Sequence, residues 1–89
     1  MTEEAIRRII NQLEADKYLN AMQTLQDEIL KIELESGPAD SAPPSAKRKI
    51  RNISEVIEKI SEAAAFGDEW EEGRSAKKKA IDQLCKLTR

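Results

Sequence analysis

Between its sixth and thirty-second residues the chain reads Ile6-Arg7-Arg8-Ile9-Ile10-Asn11-Gln12-Leu13-Glu14-Ala15-Asp16-Lys17-Tyr18-Leu19-Asn20-Ala21-Met22-Gln23-Thr24-Leu25-Gln26-Asp27-Glu28-Ile29-Leu30-Lys31-Ile32. Ile6, Ile10 and Leu13 share one helical face, which Ile9 widens. Extending that face would bury Lys17 and Asn20. A second face starts afresh at Tyr18 and continues through Met22, Leu25, Ile29 and Ile32, out of phase with the first. One straight helix would carry these stripes in different directions, whereas a break around Glu14–Lys17 lets both face one core. The spacing therefore predicts a helical hairpin with a short first helix and a longer second one. Thr2 is placed to cap the first, with Glu3 and Glu4 set favourably against its dipole. Asp16 is available to cap the second.

Outward from the hairpin, Ser36-Gly37-Pro38-Ala39-Asp40-Ser41-Ala42-Pro43-Pro44-Ser45 holds all three prolines and no large apolar residue. Proline cannot continue a helix, so residues 37–45 read as a linker, semi-extended around Pro43-Pro44. Beyond it, Ala46, Ile50, Ile53, Ile57, Ile60 and Ala64 repeat at helical spacing, and Gly67 is a stop signal. Asn52 with Glu55, and Asp68 with Glu71, are possible capping boxes. Trp70, Ala80, Ile81, Leu84 and Leu87 supply a last, shorter face, whose first turns Gly73 weakens. The expected fold is all-α: a hairpin over 1–36, the linker, and a second hairpin over 46–89, joined in a dimeric helix bundle.

Composition narrows the function. Among 89 residues there are no histidines, one cysteine and three aromatics, while 36% are charged. Histidine bases, serine and cysteine triads, the usual zinc ligand sets and internal disulfides are all removed. The carboxylate pairs Glu3-Glu4, Asp27-Glu28 and Glu71-Glu72 have no partner chemistry beside them. No enzyme, metal or cofactor is expected. No apolar run is long enough to span a bilayer, and Met1-Thr2-Glu3-Glu4 is unlike the basic start of a secretory signal. This reading expects an intracellular protein, cytoplasmic or nuclear, with no membrane partner. Charge falls in blocks: −4 over residues 1–36, +4 over 47–51, −6 over 53–72 and +5 over 73–89. Such blocks can pair within a fold or across an oligomer.

The run from Ile9 to Glu28 resembles a lissencephaly-homology (LisH) motif at Ile9, Leu13, Tyr18, Ala21, Leu25 and Glu28. It departs from the motif at Gln12, where an aromatic is common, and at Lys17, where glycine is common. The resemblance implies a self-associating hairpin in a two-fold four-helix dimer, of the kind found in cytoskeletal scaffolds, corepressors and ubiquitin-ligase subunits. The dimer interface expected from it is Ile6, Ile9, Ile10, Leu13, Tyr18, Ala21, Met22, Leu25, Ile29 and Ile32, since a hairpin this short cannot bury all of them against itself. The plainer alternative is that these side chains pack on the second hairpin of the same chain. The expected function is a non-catalytic homodimerisation and scaffolding module that also recruits another intracellular protein. Lys47, Arg48, Lys49, Arg51 and Trp70 are the candidate partner or phosphate contacts. Against that stand a solvated basic turn pairing with the acidic 53–72 block and, for Trp70, a core anchor. Cys85, one position off the apolar stripe, reads as a packed thiol. Alternatives from other classes are a small nucleic-acid-binding protein using the 47–51 and 74–79 cations, and an inhibitor- or antitoxin-like regulator.

Overall fold

A computed structural model describes residues 2–37, 42–67 and 69–87. Four helices follow in order: α1 (Glu3–Glu14), α2 (Tyr18–Ser36), α3 (Pro44–Phe66) and α4 (Glu71–Lys86). Each packs on the next, and α4 returns to α1, so the helices form an antiparallel ring. One end of the bundle holds the α1–α2 turn and the start of α4. The other holds the start of α3 and the ends of α2 and α4.

The phase break becomes a turn with a specific hydrogen-bond pattern. Ala15 closes α1, and Asp16 takes a left-handed φ of 61°. The Asp16 amide then donates to the Leu13 carbonyl at 3.0 Å, and the Lys17 amide to the Gln12 carbonyl at 2.8 Å. These two bonds satisfy carbonyls that the end of a helix otherwise leaves open, in the manner of a Schellman ending. Asp16 therefore terminates α1 and does not cap α2, whose N-cap Lys17 makes no side-chain bond. Aspartate is one of the few residues that enter this region at modest cost. Its carboxylate also accepts from the Tyr18 hydroxyl and the Lys77 ammonium, both at 3.2 Å, which ties the turn to α4. Asp16→Val is expected to cost about 1–2 kcal/mol, because a β-branched residue fits this φ poorly. Asp16→Gly should stay near wild type in urea unfolding. An equal loss for glycine would mean that the side-chain contacts, not the backbone, hold the turn.

The remaining ends follow local chemistry. The Thr2 hydroxyl accepts from the Ala5 amide at 3.2 Å, as its capping position predicts. Pro43 is extended and Pro44 opens α3 at the position where a missing amide costs nothing. α3 thus begins inside the expected linker and runs through Asn52 and Glu55, which start no helix of their own. It stops at Gly67, where φ is 76°. The second proposed capping box involves Asp68, which lies outside the described residues.

A single core unites both hairpins. Its fully buried large side chains are Ile9 and Leu13 of α1, Leu25 of α2, Ile53, Val56 and Ile60 of α3, and Leu84 of α4. Burying each contributes roughly 1.5–3 kcal/mol. On α3 the buried face is rotated from the expected one: Val56 and Ala63 are inside, Ile50 and Ile57 are half-buried and Ala64 is exposed. On α4 the inner face is Gly73, Ala76, Ala80 and Leu84, mostly small residues that allow close approach. Gly73 is an instance of that fit, not a weak point. A methyl group there would overlap the Gly67 carbonyl oxygen.

Candidate interaction surfaces

The expected dimer seam lies inside the single chain. Ile6, Ile9, Leu13, Ala21 and Leu25 are 0–3% exposed. Ile10, Tyr18, Met22, Ile29 and Ile32 are half-buried against the same core. The covering surface comes from α3 and α4, through Ile53, Val56, Ile60, Ala80 and Leu84, so no second copy is needed to shield the hairpin. This corrects the expectation that the hairpin needs a copy to bury this face. A partner can reach the five buried side chains only if the bundle opens.

Of the other singled-out residues, Lys47, Arg48, Lys49 and Arg51 are all exposed on the first two turns of α3. Among the described residues none of the four makes an ion pair. They therefore do not neutralise the acidic 53–72 block. The second cation group is at the opposite end of the bundle, where Lys77 bonds Asp16 and its ammonium lies 6.0 Å from the Tyr18 ring centroid. The two groups lie towards opposite ends of a bundle 42 Å long, so they form no continuous basic face. Trp70 is 61% exposed and Phe66 50%, which overturns the core-anchor alternative for Trp70. Trp70 precedes the first turn of α4 as its N-cap, where the small residues of that helix already fill the contact with α3. Cys85 is likewise exposed, beside Ile6 and Ile10 of α1, and is not a packed thiol.

Three residues absent from the expected interface stand out instead. Leu19, Leu30 and Leu34 of α2 are 77%, 54% and 79% exposed. Their separations of eleven and four residues place them on one stripe, turned away from the side that Ala21 and Leu25 bury. Leu30 and Leu34 also line a groove of about 880 Å³ with Ala5 and Ile32, rimmed by charged side chains that include Arg8, Glu35 and Lys49. The signal was present in the spacing, but the stronger inner stripe of the same helix hides it.

Among the described residues no cluster of three or more acidic or cysteine side chains could hold a metal ion. No helix among them is long and apolar enough to cross a membrane. Comparison with family models, with characterised proteins and with solved structures returns no match.

Proposed function

We propose that this chain is a non-catalytic assembly module that pairs with a second copy of itself and offers the outer face of α2 to a helix of another protein. The observation that carries the reading is the leucine stripe Leu19, Leu30 and Leu34, exposed on a helix whose opposite face is already buried. A small bundle gains nothing internally from three leucines in water. Covering each on binding would contribute roughly 1.5–3 kcal/mol, less the cost of association. The groove beside Leu30 and Leu34 suits an amphipathic helix, which docks through residues one turn apart. The self-pairing half of the reading comes from the LisH likeness of residues 9–28; since α3 and α4 cover the seam that such modules use, the pairing takes another face. A single cysteine can form no internal disulfide, which suits an intracellular setting, cytoplasmic or nuclear.

Sedimentation of the wild-type chain at tens of micromolar should give a dimer. A folded monomer throughout that range would sink the self-pairing reading. Replacing Leu19, Leu30 and Leu34 together by lysine should leave stability within about 0.5 kcal/mol per site, as for other surface changes. A much larger drop in the melting temperature would show that these leucines already have partners within the fold.

A further inference from the structure

The outer face of α3 is divided by charge. Lys47, Arg48 and Arg51 occupy its first two turns, and Glu55, Glu58 and Glu62 follow on the same side; all six are exposed. Glu62 meets Lys59 on its own helix at 3.6 Å, and the other five make no ion pair among the described residues. Several of these charges are poorly placed within the chain. Cations crowd the positive end of the helix dipole, and the acids run towards its negative end. Neighbours along the face are like-charged at helical spacing, as Lys47 with Arg51 and Glu58 with Glu62, which repels further.

From this arrangement we infer that the α3 outer face is the contact between two copies of the chain, laid antiparallel about a two-fold axis. The inference rests on the self-pairing reading above and names the surface responsible. Turning a second α3 end for end sets Arg51 against Glu55 and Arg48 against Glu58, twice each. Both pairs share a midpoint at Ile53, whose side chain is buried. The axis therefore crosses the face between Arg51 and Glu55, where no charge meets its own copy. About the same axis Lys47 falls opposite Lys59 and Glu62 opposite Pro44, so the complementary charge is confined to the two central pairs. The 23 residues of α3 span about 34 Å, most of the length of the bundle. Near the ends of that span, the exposed Phe66 of each copy lies within one helical turn of the exposed Pro43–Pro44 corner of the other. Aromatic side chains are frequent anchors of interfaces, and here they close the charged strip at both ends. The charges set register and direction, while the aromatic–proline contacts exclude water.

Two charge-reversal variants test it. Arg48→Glu with Arg51→Glu turns both central cations acidic, and Glu55→Arg with Glu58→Arg turns both central acids basic. Each alone should sediment as a monomer at concentrations where the wild type is dimeric, and an equimolar mixture should restore a dimer containing one of each. Each variant makes residues 51 and 55 like-charged one turn apart, a small cost on an exposed helix face, so helicity should be native and the melting temperature close to that of the wild type. If both variants dimerise alone as tightly as the wild type, the α3 face is not the contact, while the self-pairing reading stands. If the wild type and the mixture are both monomeric, both claims fall together. Should either variant fail to fold, the wild-type dimer still decides the matter. Its dissociation constant should rise at least about tenfold between about 0.1 M and 1 M salt, as the screening length falls from about 10 Å to 3 Å. A dimer tightened by salt would point to an apolar seam and overturn the proposal.

Discussion

Leu25→Asp is expected to unfold the chain, not merely to separate two copies of it. Leu25 is fully buried, with side chains of α1, α3 and α4 in the same core. A carboxylate there would lose its hydration with no buried cation or donor to replace it, because among the described residues no polar or charged one is buried. Protonation would relieve the charge but leave a polar group among isoleucines and a smaller side chain where a leucine filled the space. Removing a buried leucine to alanine already costs about 2–5 kcal/mol, and the unsatisfied polar group adds to this. A small domain holds only about 5–15 kcal/mol in total, so most of its stability is consumed. Circular dichroism should show loss of helix at ambient temperature. A variant with native helicity and melting, altered only in oligomeric state, would place Leu25 back at a seam between copies.

The second large effect concerns a residue with no side chain. Alanine normally stabilises a helix by about 1 kcal/mol over glycine. Gly73→Ala should do the opposite, since its methyl group would overlap the Gly67 carbonyl oxygen and lie 2.9 Å from the carbonyl carbon. The obstacle is backbone and cannot rotate aside. Either α4 shifts away from the end of α3 or the Gly67 turn distorts. Gly67 itself sits at a φ of 76°, which only glycine adopts cheaply, so that turn has little freedom to give. A net loss of about 2–3 kcal/mol is expected, within the usual range for overpacking. In a chain of this size it should lower the melting temperature by about 10 °C or more. A higher melting point for Gly73→Ala would mean that α3 and α4 do not approach this closely.

The helical hairpin could be read from the sequence because its cause is local. Two apolar stripes out of phase need a break between them, and the break falls at Ala15–Lys17. Thr2 and Gly67 were legible for the same reason, since a cap or a stop depends on a few neighbouring residues. What covers a stripe depends on surfaces far away in the chain. Periodicity shows that Ile9, Leu13 and Leu25 must be buried, but it cannot distinguish a second copy from α3 and α4. Trp70 illustrates the same limit. Its size suggested the core, yet the contact between α3 and α4 is made by Gly73, Ala76 and Ala80, too close to admit an indole. Leu19, Leu30 and Leu34 were overlooked because α2 carries apolar residues on both sides, and the inner series is the longer.

The ring of helices has a kinetic consequence. Among the described helices, three of the four contacts join neighbours in sequence, and only the meeting of α1 with α4 brings distant parts of the chain together. Chains dominated by such local pairings fold in microseconds to milliseconds, since little loop entropy is lost before contacts form. The α3–α4 pair shares the most extensive contact and is the natural nucleus, onto which α2 and then α1 can add. α1, with only 12 residues, is the last to dock and the first to leave. Its amides should therefore exchange with solvent sooner than those around Ile60 and Leu84. Each departure of α1 briefly bares the apolar faces of its neighbours, so the shortest helix acts as the bundle's latch.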